Sequence, residues 1–296
     1  MQPWWASALL ILAAANGYVW GLLARPPLPL RVTFLDVGQG DAAVIEAPSG
    51  RVALLDSGRA DGNSDHARSV VLPYLRSRGI NGLDAVALSH WDQDHAGGAA
   101  SVMVAMRARM LLVPLWDDPR HGPTQTEART LRIAAMRGIP RVSLVAGQEV
   151  QVGGGCSLVS LNPPGTAYRP APRTDNDASL VFMLRYGATR VLLPGDAGAE
   201  AEHSMVRRRL DLRADVLKLG HHGSASATSD RWLDAVRPKA AIISVGRRNP
   251  FGHPDRRVLA RLRRRGIRVF RTDERGAITV LSDGAQLSIR SVKRVR

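Results

Sequence analysis

Residues 88–98, LSHWDQDHAGG, place two histidines and two aspartates, His90, Asp92, Asp94 and His95, within six residues. The residues leading to His90, LDAVALS, are mostly apolar, so His90 ends a strand. The carboxyl ends of strands are where α/β sheets build their sites. Gly97 and Gly98 follow. Turning several side chains onto one point needs a tight bend, and glycine permits the backbone angles. Imidazole plus carboxylate without thiolate is a donor set for Zn, Mn or Fe. A polar, solvated loop is the alternative. One histidine would favour it; four ligand-type side chains in so short a span do not.

Three other apolar runs end the same way. VLLPGD ends on Asp196, VLKLGHHGS carries His221 and His222, and LLDSG carries Asp56. Singly, an aspartate at a strand end is commonplace, because it caps turns and helices. Together these runs deliver ligand types to one sheet edge. RVTFLDVG, AAVIEAP and RVALLDSG read as strands with tight turns, as do MLLVP, RVSLV, CSLVSLN, SLVFMLRYG, KAAIISVG, RVFRTD and GAITVLS. Helices are predicted over 66–78, 97–109, 126–137, 199–209, 228–236 and 254–265. Hairpins dominate early and strand–helix alternation later. The expected fold class is therefore α/β, with mixed sheets and helices packed outside, in one domain over 31–290. The loop at 162–177, NPPGTAYRPAPRTDND, is long and proline-rich, which suits a lid or a substrate loop.

The chain has 296 residues and 45% hydrophobic composition, enough for a packed core. Cys156 is the one cysteine, so an intrachain disulfide and a cysteine-rich zinc site are both excluded. It reads as a small buried hydrophobe, and His66, His121 and His203 read as isolated. The 41 basic residues outnumber 26 acidic ones, for a net charge of +15. That surface suits a phosphate backbone or anionic lipid; genome base composition explains arginine over lysine but not the excess. RRRL at 207–210 and RRVLARLRRRGIR at 256–268 read as basic helix faces, either tracking a nucleic-acid backbone or simply solvated. Residues 4–24 carry no charge, and an apolar run of about 20 residues can span a bilayer as a helix. They are expected to form a transmembrane or signal-anchor helix, with 25–30 a proline-rich linker and 291–296 a basic tail. Arg25 and Arg31 follow the segment and nothing basic precedes it, which leaves orientation open, since folded domains are translocated regardless.

FLDVGQGDA, LSHWDQDHAGG, DNDASLVFML, LLPGD, LKLGHHGS and SVGRRNPFGHP, in that order over roughly residues 31–285, resemble the metallo-β-lactamase superfamily. Within it they are similar to the carboxy-terminal domain of ComEC-type DNA-uptake proteins. The superfamily signature is His-x-His-x-Asp-His. Here Asp92 stands in place of the second His, an exchange typical of that branch. The resemblance implies an αββα sandwich with its site on one edge of two sheets. It implies two divalent cations, Zn or Mn. One would be held by His90, Asp92 and a bridging Asp196, the other by Asp94, His95, His221 and the same Asp196. The superfamily's third His of the first site should fall near 162–177; Asp175, Asn176 or Asp177 would stand in for it. Carboxylate in place of imidazole hardens that site and favours Mn. His222 could replace His221; His221 is preferred because it follows the strand directly. Asp41 and Asp56 are expected to orient ligands.

Asp94, Lys218 and His253 are the candidate catalytic groups, and Arg248, Asn249, Asn176 and His222 the candidate substrate-binding ones. The loop GRRNPFGHP could instead be only a turn before a helix, N-capped around Asn249. The function implied is a membrane-associated nuclease acting on DNA, single-stranded first, with a separate channel protein as partner. The domain would lie on the extracytoplasmic side of the cell membrane. The apolar start resembles the end of that family's membrane part, so this chain alone is not expected to be a complete transporter. A hydrolase of a cyclic phosphodiester or lactone, and a non-catalytic DNA-binding module, are the alternatives.

Overall fold

Along the strand Val181–Tyr186, Phe182 and Leu184 face one way and Val181 and Met183 the other, and all four are 0% exposed. A strand with period two and both faces buried must be covered twice. Phe182 and Leu184 pack against a second sheet, through Phe34, Ile45 and Ile278 among others. Val181 and Met183 pack outward against helices that carry Trp232, Leu233, Val258 and Leu262. The facing sheet repeats the arrangement: Ala53 and Leu55 point inward, Val52 and Leu54 outward toward Leu72, Leu75 and Met103. The result is the expected αββα sandwich.

The structure, a computed structural model, describes residues 28–293 apart from 63, 117–121, 166–171 and 173, together with positions 5, 9, 11–14 and 16. Most of the span expected over 4–24 lies outside the described residues, as do His121 and the end of the basic tail. Among the described residues, no helix is long and apolar enough to cross a membrane.

The first sheet takes its early strands from β1 (Leu30–Phe34), β2 (Ala43–Glu46), β3 (Val52–Leu55), β5 (Ala85–Ala87), β7 (Leu111–Pro114) and β8 (Arg141–Leu144). Two short strands, β4 (Gly82–Leu83) and β6 (Arg107–Ala108), pair beside it. The second sheet runs β9 (Glu149–Gly153), β10 (Cys156–Asn162), β11 (Val181–Tyr186), β12 (Thr189–Leu193), β13 (Val216–Lys218), β14 (Ala240–Ile243) and β15 (Arg268–Arg271). The chain then returns to the first sheet with β16 (Ile278–Ser282) and β17 (Leu287–Ser291). The first sheet has order β17-β16-β1-β2-β3-β5-β7-β8. Each sheet is antiparallel in one part and parallel in the other: β3, β5, β7 and β8 run parallel, as do β12 to β15.

β9 and β17 are edge strands without a long apolar run; β9 buries only Val152 and β17 no residue fully. That is why sequence pattern alone does not mark them. The helix expected over 97–109 stops at Ala105, because Met106 turns extended and Arg107 enters β6.

Phe182 is wholly buried between the sheets. Phe182→Ala is expected to cost about 3–5 kcal/mol through lost transfer energy and a cavity. A urea midpoint lowered at constant slope would verify this; an unchanged midpoint would contradict the placement.

Candidate metal centre

The parallel parts of both sheets present their carboxyl ends on one edge. β3 hands over to Asp56, β5 to Ser89 and His90, β12 to Asp196, β13 to Lys218, His221 and His222, and β14 to Ser244. The turns there are tight. Asp56, His221 and His222 hold left-handed backbone, with φ of 58°, 48° and 53°, a strain that clusters at functional sites. At Gly40 a Cβ would stand 2.3 Å from the Asp94 carbonyl, so only glycine lets Asp41 N donate to that oxygen at 3.1 Å. At Gly195 a Cβ would meet Ser89 Cβ at 2.6 Å, which is where the loops of the two sheets touch.

Hydrogen bonds fix which histidine nitrogens face inward. Ser89 Oγ donates to Asp56 Oδ2 at 2.8 Å. Its one proton is then spent, so at 2.9 Å from His90 Nδ1 it accepts from that ring. His95 Nδ1 lies 2.9 Å from Asp56 Oδ2, and His222 Nδ1 lies 3.0 Å from the Ser244 carbonyl, both pure acceptors. Each ring therefore carries a proton on Nδ1 and turns Nε2 toward the same space. Those three Nε2 atoms, with Asp41 Oδ1 and Asp196 Oδ1, are buried without a hydrogen-bond partner. Buried polar atoms are almost always satisfied, so the three Nε2 atoms and Asp196 Oδ1 fit a bound cation, whereas Asp41 Oδ1 lies on the other side of the rings, 3.8 Å from His222 Nδ1. Asp41, His95, Asp196 and His222 each offer an atom within 4.8 Å of the others. Asp196 faces His95 Nε2 with Oδ1 at 3.2 Å and His222 Nε2 with Oδ2 at 3.5 Å, so each of its oxygens addresses a different ring. His90 Nε2 lies 3.4 Å from Asp92 Oδ2, and the His90 and His95 rings stand 4.2 Å apart.

Charge follows the same geometry. Burial opposes ionisation of Asp196, but His95, His222 and Lys218 hold its carboxyl well below the usual carboxylate range. Burial likewise opposes charge on Asp56 and Asp94, and their histidine partners outweigh it. Desolvation would push His95 and His222 down; the surrounding carboxylates, Asp196 first, raise both. Lys218 is buried, ion-paired to Asp41, and held charged.

His90, Asp92, Asp94, His95 and Asp196 come together as the sequence suggests. His222, rather than His221, is the buried member of the compact cluster. His221 is about one-third exposed, with Nε2 3.9 Å from Asp196 Oδ2. Asp41 stands closer than an orienting role requires, but Lys218 already neutralises it. Asp94 Oδ2, on the open side, lies 3.3 Å from His222 Nε2. No described contact joins Asp175, Asn176 or Asp177 to these histidines: Asp175 accepts from Trp116 Nε1 and Asp177 from Thr174 Oγ1. His253 stands beside His221 with ring centroids 5.9 Å apart. Asn249 spends its amide bracing the loop, donating to the Gly246 and His253 carbonyls and accepting from His253 N. The helix that follows is capped by Asp255 instead. Arg248 is exposed. The sequence reading missed Ser89, because its bonds to Asp56 and His95 exist only once β3 and β5 are paired.

This fold and edge-on donor set define a metallo-β-lactamase-type hydrolase domain. The chain belongs to the metallo-β-lactamase superfamily, whose description matches residues 35–247. The resemblance to ComEC-type proteins holds as well. ComE operon protein 3 of Bacillus subtilis is 33% identical over 83% of this chain and 32% of its own length. Competence protein ComA of Neisseria gonorrhoeae is 30% identical over 94% of this chain and 35% of its own. The chain thus spans about a third of the length of these relatives. Among solved structures, Igni18, a metallo hydrolase from Ignicoccus hospitalis, shares the fold with a TM-score of 0.53 and 14% identity, over 84% of this chain and 98% of that one.

Ser89→Ala removes the group that orients His90 and braces Asp56. It is expected to weaken divalent-metal affinity about 10–100-fold while leaving the circular-dichroism spectrum intact; unchanged affinity in a metal titration would contradict the orienting role.

In chelator, stability should fall on both sides of mildly acidic pH. Asp56 and Asp196 have depressed folded pKa values, so their contribution is present above about 3.9 and lost as pH drops through the folded value. His95 and His222 have raised ones, so theirs is full below about 6.5 and lost as pH climbs through the folded value. Metal replaces the proton on both rings and should remove the alkaline loss. Urea midpoints across pH, with and without Mn2+, check this; an alkaline limb unaffected by metal would refute it.

Proposed function

We propose that this chain is a divalent-cation-dependent phosphodiesterase that cuts DNA, single-stranded first, during DNA uptake. The observation that carries this is the convergence of three unpartnered histidine Nε2 atoms with Asp196 on an open sheet edge. The residues that would hold cations are His90, Asp92 and Asp196 on one side, and Asp94, His95, His222 and the same Asp196 on the other. Cations in such a site, Mn or Zn by donor type, supply a water acidic enough to ionise near neutral pH and charge to offset a phosphate.

The rest falls to the chain. Asp94, part-exposed beside His222, accepts the proton of the attacking water. His253, whose pKa is lowered by burial and by His221 and His222, offers a neutral base on the outer side. Lys218 touches no substrate; paired with Asp41 behind the cluster, it positions Asp196. An anionic strand is supported by an open hollow of about 580 Å³ beside the turn that carries Asp94 and His95. Arg129 and Arg132 line it and have no ion pair among the described residues. The helix Arg256–Arg264 is less suited, since Arg261 and Arg264, with Arg265 just beyond, are tied to Asp230 and Asp234. The uptake context is supported by the relative named a competence protein, and a membrane anchor by the uncharged run at 4–24. The domain would then work on the extracytoplasmic side beside a separate channel protein.

The full chain with Mn2+ is expected to cleave labelled single-stranded DNA. His90→Ala and Asp196→Asn should each lower the rate more than about 100-fold, beyond what loss of an orienting group costs. DNA left intact with every divalent metal would overturn the reading. Cleavage of a cyclic dinucleotide alone would move it to small phosphodiesters.

A further inference from the structure

A single exposed phenylalanine is ordinary on a protein surface. Phe251, 66% exposed, is set apart by the stack it terminates. Its ring lies against His253 at 5.8 Å between centroids and 19° between planes. His253 meets His221 at 5.9 Å, His221 meets His222 at 6.3 Å, and His222 meets His95 at 5.3 Å. A continuous ladder of rings thus runs from the buried donor cluster to the surface, and Phe251 is its outermost rung.

The loop that carries it is pinned at both ends to the site. Gly246 N donates to Gln39 Oε1, two residues before Asp41. Asp255 N donates to the Gly223 carbonyl, directly after His222. A Cβ on Gly223 would stand 2.8 Å from Pro254 Cβ, so the two loops are in contact. The three Asn249 bonds brace the interior of the loop. A fixed, solvent-facing aromatic ring beside a phosphate-cutting centre is what proteins use to hold single-stranded bases, and stacking accepts any base because every base has a π-face.

We infer that Phe251 is a base-stacking platform for the nucleotide flanking the scissile phosphate, with His253 as its backing. This rests on the phosphodiesterase reading for its location but is tested apart from it. The readout is the ratio of affinities of the full chain, in chelator, for a short oligothymidylate and for a strand of equal length made of abasic sugars. Backbone charge contributes to both and cancels. The wild type should prefer the strand with bases. Phe251→Ala should cut that preference roughly 5- to 150-fold, the equivalent of one stacked base, and Phe251→Trp should keep it. Wild type without a preference, or Phe251→Ala with an unchanged one, overturns the inference even if DNA is cleaved in Mn2+. A preference that depends on Phe251 without cleavage would overturn the phosphodiesterase reading and leave the platform standing.

Discussion

The Asp56 carboxylate is 1% exposed and accepts three hydrogen bonds, from Ser89 N, Ser89 Oγ and His95 Nδ1. Burying an ion at that depth costs several kcal/mol unless it is paired and hydrogen-bonded. The donors and the charge on His95 offset that cost. Because Asp56 can only accept, every proton near it has an assigned place. Ser89 must give its proton downward, His90 must donate sideways to Ser89, and His95 must donate to Asp56. The inward-facing lone pairs of His90 and His95 are thus set by a carboxylate that itself never reaches the site's surface. The left-handed backbone at Asp56 is the local strain that this position demands.

The site is divided between two sheets that share no strand. Asp41, Asp56, His90, Asp94 and His95 belong to one; Asp196, Lys218 and His222 belong to the other, Lys218 as the last residue of β13. Polar contacts join them at the edge, among them Lys218 with Asp41, His95 with Asp196, His222 with Asp94, Gly246 N with Gln39 Oε1, and the Leu180 amide with the Ser89 carbonyl. Away from that edge, the apolar interior registers one half on the other through Phe34, Ile45, Phe182 and Leu193. Close packing transmits small shifts rather than absorbing them, so core volume becomes ligand geometry. Donor sets must be held to within about 0.5 Å to work.

Much of this was legible beforehand because strand-end position and ligand chemistry coincide in LSHWDQDHAGG, LLPGD and LKLGHHGS. Layer order was legible for the same reason: runs such as SLVFMLRYG are apolar on both alternations. The choice between His221 and His222 was not. Both are left-handed in backbone, and a tight turn that places two successive residues out of register with the strand reverses which one points inward. The part played by Asn249 was also hidden, since an amide that braces its own loop and one that waits for a phosphate have the same sequence. Phe251 was equally hidden, since a lone phenylalanine between proline and glycine does not say whether its ring faces the core or solvent. The edge strands β9 and β17 escaped notice because one apolar stripe suffices where solvent covers the rest.

β1 pairs with β2 within a short hairpin, but its other edge waits for β16, where Thr33 meets Thr279 across 246 residues of chain. Long-range pairing of this kind slows folding, because loop closure must precede the reward. Synthesis runs at roughly 5–20 residues per second, so a nascent chain would carry that open edge for about 12–50 s before its partner emerges. Unpaired strand edges recruit other strands. The first sheet is therefore the part of this molecule most exposed to mispairing during its making, and its last hairpin, β16 and β17, acts as the closure that ends that interval.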